Sequence, residues 1–384
     1  MSRNVKMLLV VSVLFGVAGG IYEFVLPYYL SSQGLSFKGM GYIFAASTAV
    51  MFLVRIGLGN LADRWGSKQF YLFALSGCTV ASLLTPFTAS LALLILLKTM
   101  REVGVLARDT AHPILLYEEN RGRFMDFIGK TRGMEFLFQA AGTLVAGIGM
   151  AFVGERGSFW VGGVTLGIAL IFLSLGVRGR GARPSTGEKV GSASLFRFDL
   201  AKNLKIIMVA QFIFSVGLST SHCFIMPLFF SEKFGVSAQV VSVVMVIHRL
   251  TFISMLIVGS LNIRRLKAVY IGTVAFEGVI LTAGAVIPDF FWAAAVWLLH
   301  DLFGAAIWIP IQSTIIQEEC RDEQRGLDLS KTLAFSALGG AIGPLLAGWL
   351  SGISISGPFL VSGILVTLSA GALLKLRLKP SYGV

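Results

Sequence analysis

The chain has 384 residues, of which 55% are hydrophobic and only 14% are charged. A soluble globular domain carries about 25% charged residues, so this composition and a mean hydropathy of +0.80 exclude that class and predict an integral membrane protein. The net charge of +12 does not indicate nucleic-acid binding, because the basic residues cluster in short gaps between apolar runs, without a recognition module.

Twelve apolar runs follow one another along the chain, each close to the roughly 20 residues that a helix needs to cross a bilayer core. We number these spans 1 to 12 in chain order: 7–31, 38–62, 69–88, 90–114, 130–153, 157–177, 204–230, 237–261, 268–287, 290–313, 331–351 and 356–374. The first run follows Arg3 and Lys6, as in a signal peptide, but it is too long and lacks a small-x-small cleavage site. We therefore expect a retained transmembrane helix.

Basic residues are distributed unequally between the two sets of connections. One set holds Arg64, Lys68, Arg121, Arg123, Arg264, Arg265, Lys267, Arg321 and Arg325; the other holds little beyond Lys38, Arg156 and Lys233. The positive-inside rule then predicts cytoplasmic termini and a location in the cell membrane, inner or plasma. The only long break, 178–203, is basic and contains glycine and serine. We expect a cytoplasmic linker there, between an N-terminal bundle at 1–177 and a C-terminal bundle at 204–384.

The two halves of the chain repeat each other. Pairs with an offset of 200 residues are Pro27 with Pro227, Gly59 with Gly259, Leu61 with Leu261 and Gly104 with Gly304. Many secondary transporters contain such a duplicated unit, with the substrate site between the repeats. The predicted fold is therefore an all-α membrane protein with twelve transmembrane helices, forming two pseudo-symmetric six-helix bundles around a central cavity.

Ionisable residues inside the spans are costly in a bilayer and usually face the bundle interior. Span 4 has a polar stripe with spacings of three and four residues: Lys98, Arg101, Glu102, Arg108, Asp109 and His112. One interpretation is a self-neutralising ladder, in which Lys98 pairs with Glu102 and Arg108 pairs with Asp63 or Asp109. The other is contact with a substrate, for which Lys98 and Arg101 are the better candidates because they lie near mid-depth.

Glu23 is the only ionised residue between Met7 and Leu30, and it lies on a small and polar stripe of span 1. We expect it to face inward, either as a functional carboxylate or as a hydrogen-bond acceptor for a neighbouring helix. The repeat places Cys223, next to His222, at the matching position of span 7. We expect these residues to face the same cavity as Glu23.

Other charged residues in the spans allow two interpretations each. Arg249 in span 8 either forms an interhelical salt bridge with Glu277 or Asp301 or binds an anionic substrate group. Glu135 lies three residues after Arg132, which favours a local ion pair. Asp301 shares a stripe of span 10 with Trp308, whose ring either packs in the bundle or stacks on a substrate.

The segment GNLADRWGSK between spans 2 and 3 resembles the signature loop of the major facilitator superfamily. Residues that match this pattern are Gly59, Leu61, Ala62, Asp63, Arg64, Gly66 and Lys68. The ENRGRFMDFIGKTRG segment is similar to the loop that precedes helix five in that family, and ARDTAHP resembles a subgroup with an Arg–Asp pair. The resemblance implies a conformational-switch loop that comprises Gly59, Asp63, Arg64, Gly66, Lys68, Arg108 and Asp109.

The main prediction is a secondary active transporter, a symporter or antiporter that moves a small solute by alternating access. Its partners would be the bilayer and the solute; we expect a monomer that binds no nucleic acid and needs no cofactor. Protons are the default coupling ion, with Glu23 as the carrier. Residues predicted to line the substrate or coupling-ion cavity are Glu23, Lys98, Arg101, Glu102, His222, Cys223, Arg249 and Asp301.

An alternative is a divalent-metal exporter similar to the ferroportin branch of that superfamily. Its ligands would be Glu23, His222, Cys223 and Met226, which offer oxygen, nitrogen and sulfur donors. A non-transporting receptor and a membrane-embedded enzyme are more remote alternatives. The chain has no HExxH motif and no Walker loop, so we expect neither an enzyme nor an ATP-driven pump.

Overall fold

The computed structural model describes residues 2–119, 124–178, 199–251, 263, 265–321 and 325–378. Helices correspond to the predicted spans throughout this part of the chain. Their bounds are Arg3–Ser32, Phe37–Trp65, Ser67–Leu84 and Leu91–Glu119 for spans 1 to 4, Phe124–Gly176 for spans 5 and 6, Lys202–Ser221 and Ile225–Phe234 for span 7, Ala238–Thr251 for span 8, Leu266–Val286 for span 9, Phe290–Leu299 and Ala306–Glu319 for span 10, Arg325–Ser351 for span 11 and Gly357–Leu373 for span 12.

Eight helical stretches among the described residues are long and apolar enough to cross a membrane. One of them, Lys130–Gly176, contains both span 5 and span 6. The reversal between these spans occurs at Gly154, whose φ of +66° lies in the left-handed region that favours glycine. Two further apolar helices, Ala238–Thr251 and Gly357–Leu373, are shorter. The prediction of an all-helical membrane protein is confirmed.

Two helices contain irregular backbone. Span 7 is interrupted at residues 222–224, between the helices Lys202–Ser221 and Ile225–Phe234. Span 10 contains a π-helical turn, His300–Ala305. Broken transmembrane helices often carry substrate or ion sites, and π turns are frequent at functional sites. Residues 222–224 and His300–Ala305 are therefore candidate positions for a binding site.

The chain divides into two compact units. The first comprises Met1–Gly187 together with Val236–Arg249, and the second comprises Glu188–Gly235 together with Leu250–Val384. The start of span 8 thus packs with the first six spans: a Cβ placed on Gly147 of span 5 would overlap the side chain of Ser242. Most of the linker predicted at 178–203 lies outside the described residues, so the predicted domain boundaries stay a prediction.

Matching contacts in each unit support the internal repeat. In the first unit the Asn4 side chain donates to Glu119 (2.5 Å) and to the carbonyl of Arg178 (2.9 Å), and it accepts from the Arg178 amide (3.0 Å). In the second unit Asn203 makes the same three bonds with Glu319 (2.8 Å) and Arg377 (3.0 and 3.1 Å). We call this arrangement the asparagine clasp. It ties the start of the first span of each half to the ends of the fourth and sixth spans.

Candidate substrate and coupling site

Glu23 lies where spans 1 and 5 approach each other closely. A Cβ on Gly20 would overlap the carbonyl oxygen of Gln139, and one on Gly142 would overlap that of Val17. Glycine at these positions therefore lets the two backbones touch. The close approach brings the amide of Gln139 to Glu23, and its Nε2 donates to the carboxylate over 2.9 Å.

The Glu23 carboxylate also pairs with Arg249, the last residue that span 8 contributes to the first unit. The Arg249 guanidinium lies 2.7 Å from Oε2 of Glu23. The predicted interhelical salt bridge of Arg249 is therefore present, but its partner is Glu23 rather than Glu277 or Asp301. Although it belongs to an apolar span, the Glu23 side chain is 46% exposed and that of Arg249 is 21% exposed. The pair is thus not sealed in the protein interior.

A second group of charges lies on span 4. Lys98 donates to Glu102 over 2.8 Å, as predicted, and its Nζ lies 4.4 Å from the centre of the Phe44 ring. The Arg101 guanidinium covers the Tyr22 ring at 3.8 Å and lies 3.9 Å from the Glu102 carboxylate. Its Nε has no hydrogen-bond partner among the described residues. Two buried cations therefore share one carboxylate, and the group carries a net charge of +1.

The inner part of the span 4 stripe forms a neutral tetrad with span 5. Arg108, fully buried, pairs with Asp109 (2.8 Å) and Glu135 (2.7 Å). Arg132 pairs with the same two carboxylates at 3.0 and 3.3 Å. The self-neutralising interpretation is correct for these residues, and the Arg132–Glu135 pair is confirmed. Arg108 and Asp109 connect span 4 to span 5 through these pairs, and their predicted role in a conformational switch stays a prediction.

The signature loop is described in part. Gly66 has a φ of +81°, which favours glycine, and span 3 begins at the next residue. The Lys68 ammonium donates to the carbonyl of Ser174 over 2.9 Å, so it holds the loop to the end of span 6. The side chains of Asp63 and Arg64 and the surroundings of Gly59 lie outside what the structure describes, and the predicted switch role of these residues stays a prediction.

On the same predicted inner face of the second half, the Arg321 side chain binds Asp328 and Asp199. Hydrogen bonds from Arg321 hold the pKa of the Asp328 carboxyl below its usual range. The Asp328 side chain is buried and also accepts from the Arg321 amide. This ion pair joins Arg321, just after the helix that ends at Glu319, to the first turn of the helix that contains span 11.

In the second unit the two irregular helices bring two histidines together. Nε2 of His222, at the interruption of span 7, lies 2.8 Å from Nε2 of His300, in the π turn of span 10. The Asp301 carboxylate lies 3.3 Å from the same His300 nitrogen. Cys223 donates to its own helix, at the carbonyl of Thr220 over 3.9 Å. Glu23 belongs to the first unit, so the metal set Glu23, His222, Cys223 and Met226 stays a prediction.

Trp308, about two turns beyond His300 and Asp301 on span 10, is a packing residue. Its ring meets that of Phe214 edge to face at 4.7 Å, and its indole nitrogen donates to the buried carboxylate of Glu277. Of the two interpretations of this tryptophan, packing in the bundle is the one that its contacts support.

Sequence reasoning did not identify Gln139 or Tyr22 as members of these groups, and it assigned no role to His300. A signal was present for the last two. Tyr22 and Arg101 touch in the first unit, and positions about 200 residues later in the repeat are His222 and His300, which touch in the second. Applying the repeat to contacts as well as to single positions would have predicted the histidine pair.

A sequence profile of the Major Facilitator Superfamily matches residues 8–272 and again residues 207–383. The chain belongs to the Major Facilitator Superfamily. It is therefore a multi-pass membrane transporter and not an enzyme. The two overlapping matches also agree with the repeat between the halves.

Relatives of this transporter resemble it over nearly its whole length. Multidrug resistance protein 2 of Bacillus subtilis (strain 168) is 21% identical over 365 residues, which cover 90% of this chain and 88% of that protein. The crystal structure of the nucleoside transporter NupG has a TM-score of 0.78 at 13% identity, over 98% and 100% of the two chains. A bacterial homologue of the iron transporter ferroportin, in an inward-facing state, has a TM-score of 0.75 at 14% identity, over 98% and 99%. At such identities the structural likeness shows the fold alone.

Proposed function

We propose that this chain is a proton-coupled secondary active transporter that moves a small organic solute with an anionic group by alternating access. The observation that carries the proposal is the Glu23–Arg249 pair. It combines a partly exposed carboxylate of an apolar span with a guanidinium 2.7 Å away. An accessible carboxylate can take up and release a proton, whereas one sealed in the core cannot exchange with either side.

Protonation of Glu23 would remove the charge that holds Arg249. The neutral carboxyl can still hydrogen-bond to Gln139, so Glu23 keeps its place while Arg249 is released. Since Arg249 lies on span 8 and Glu23 on span 1, the proton controls a link between two helices. Such a link is what coupling of proton binding to a helix movement requires.

The anionic group of the solute is proposed from the second charge group. Lys98 and Arg101 share only Glu102 among the described residues, and the Arg101 side chain is 4% exposed. An uncompensated positive charge in a low-dielectric site is costly. A carboxylate or phosphate on the solute would neutralise it, and the Arg101 fork suits bidentate binding of such groups.

The test is transport in vesicles with purified protein and an imposed pH gradient, using a panel of organic anions, nucleosides and organic cations. We expect Glu23→Gln to abolish accumulation driven by the gradient and to keep exchange of labelled for unlabelled solute. Glu232→Gln, which neutralises an exposed carboxylate near the end of the second helix of span 7, is the matched control and should behave as the unmodified protein. Gradient-driven accumulation by Glu23→Gln would disprove the coupling role.

A further inference from the structure

The histidine pair of the second unit, His222 and His300, belongs neither to the proposed coupling site nor to the proposed anion site. We propose that His222 and His300 are the nitrogen ligands of a binding site for one divalent first-row transition-metal ion, with the Asp301 carboxylate beside His300. The site lies within the second unit and does not depend on proton coupling. It differs from the ligand set predicted from the sequence, because its protein ligands are two nitrogens from spans 7 and 10 and it takes no sulfur.

Hydrogen bonds on the far side of each ring orient the two imidazoles. Nδ1 of His300 faces the carbonyl of Trp297, which only accepts, so that nitrogen carries the proton and Nε2 presents a lone pair. Nδ1 of His222 lies 2.8 Å from Oγ of Ser221, whose hydroxyl lies 3.2 Å from the Leu218 carbonyl and donates to it. Metal-binding histidines usually have such an outer partner, which fixes the tautomer.

With Ser221 donating to Leu218, both Nε2 atoms present lone pairs to each other across 2.8 Å. Two lone pairs at this distance repel unless a cation lies between them. Without a metal ion, a proton must lie between the two nitrogens. Either His222 takes its other tautomer and donates to His300, or His300 is protonated beside Asp301 and donates to His222. Only the arrangement with both lone pairs free of a proton binds a metal ion.

The distances fit a metal centre. Imidazole nitrogen and carboxylate oxygen bind first-row ions at about 2.0–2.2 Å, so neighbouring ligand atoms stand about 3.0 Å apart in octahedral geometry and about 3.4 Å in tetrahedral geometry. The observed separations are 2.8 Å between the two nitrogens and 3.3 Å from His300 Nε2 to the Asp301 oxygen. Imidazole nitrogen suits ions such as iron, nickel, copper and zinc, and water can occupy the remaining positions around the ion.

Comparison of the two halves gives independent evidence that the backbone around His222 is specific to the second half. Before the interruption of span 7, Ser215 corresponds to Gly16, 199 residues earlier; both lie against a backbone carbonyl of the fifth span of their half, at Ser336 and Glu135. Beyond the interruption the offset is 200, since Phe229 packs on Phe359 as Tyr29 packs on Phe159. One extra residue therefore lies between positions 215 and 229, which bracket His222.

Span 10 shows the same change at the other histidine. The backbone bonds that begin the helices place Asp289 199 residues after Ser90, whereas Glu319 of the asparagine clasp follows Glu119 by 200. A π turn takes a bond from i to i+5 and so accommodates one additional residue. Relative to the first half, the second half thus has one insertion near each histidine, and both insertions coincide with the irregular backbone that brings the rings together.

The test uses untagged protein in detergent, stripped with chelator and titrated with CoCl₂, with the visible absorption of the bound ion as the readout. We expect one Co²⁺ per chain and a rise of more than about tenfold in Kd for His222→Gln and for His300→Gln. The control is His112→Gln, which removes a buried histidine of span 4 that hydrogen-bonds to Thr131 over 3.1 Å. It should bind Co²⁺ as the unmodified protein does.

X-ray absorption of the Co²⁺-loaded unmodified protein makes the test independent of variant folding. We expect two imidazole ligands with oxygen and no sulfur. Failure to bind Co²⁺, equal binding by His222→Gln, or a sulfur ligand from Cys223 would overturn the assignment. Because the readout is binding by the resting protein, failure here leaves the proposed role of Glu23 untouched, and failure of Glu23→Gln to alter transport leaves the metal site untouched.

Discussion

Replacing two carboxylates of the first unit separately should distinguish a coupling residue from a structural one. Glu23 and Glu135 both bind an arginine at 2.7 Å. Their surroundings differ: the Glu23 side chain is 46% exposed, whereas Glu135 is 12% exposed and its partner Arg108 is fully buried. Glu23→Gln and Glu135→Gln make the same chemical change in these two settings.

The expected losses of stability follow from this difference in exposure. An ion pair open to water contributes less than about 1 kcal/mol to the free energy of unfolding, so Glu23→Gln should cost no more than that. Glu135→Gln leaves buried Arg108 with Asp109 as its remaining carboxylate, and because the glutamine oxygen can still accept, it removes the equivalent of one hydrogen bond between charged groups, worth about 1.5–3 kcal/mol. We expect a cost of about 2–3 kcal/mol.

The assay is reversible unfolding in mixed detergent micelles, paired with pH-driven transport in vesicles. Glu23→Gln should unfold near the midpoint of the unmodified protein and lose gradient-driven accumulation. Glu135→Gln should unfold at a clearly lower denaturant concentration and keep pH dependence in the fraction that folds. Equal stability losses in the two variants, or a larger loss in Glu23→Gln, would refute the reasoning from exposure.

Three further predictions concern packing, solute binding and pH. Gly20→Ala should lower the unfolding midpoint by about 1–3 kcal/mol, because its Cβ would overlap the span 5 backbone; Gly149→Ala, with open space around it, should leave the midpoint unchanged or raise it by up to about 1 kcal/mol. Arg101→Gln should weaken binding of anionic solutes, measured as a smaller thermal shift, and an unchanged shift would remove Arg101 from the site. The pKa of Asp328 is lowered in the folded state, chiefly by hydrogen bonds from Arg321, so its stabilising effect is present above the ordinary aspartate pKa and is lost as pH falls through the lowered value. In unfolding titrations Asp328→Asn should therefore be less stable than the unmodified protein near neutral pH and equal to it in strong acid, and a constant difference at all pH values would contradict this assignment.

The fold could be predicted from the sequence because the apolar spans are long and the correspondence between the two halves recurs at many positions. Each span repeats an apolar character over about 20 residues, and the offset near 200 connects the halves at many points. The pairs Lys98–Glu102 and Arg132–Glu135 were also accessible, since spacings of four and three residues place side chains on one helix face. Such local geometry needs no knowledge of which helices are neighbours.

Contacts between spans were harder to predict, because they depend on helix rotation and depth. Arg249 was paired with Glu277 or Asp301 on the basis of charge alone, but the structure places it with Glu23 of span 1. Nothing in the local sequence identifies Gln139 as the second partner of that carboxylate. The π turn at His300–Ala305 is likewise invisible to helical periodicity, although comparison of the two halves reveals the extra residue.

The asparagine clasp shows which parts of a duplicated chain were free to diverge. Asn4 and Asn203 close their bundles with matching partners at one end of each half. Halfway along the same spans, Glu23 aligns in sequence with Cys223. The contact between Tyr22 and Arg101 in the first unit corresponds to the contact between His222 and His300 in the second. The asparagine contacts are thus the same in both units, whereas the groups halfway along the spans differ in chemistry: charged side chains in the first unit and two imidazoles in the second. A solute that contacts either unit therefore meets different chemical groups there, although the two bundles are closed in the same way.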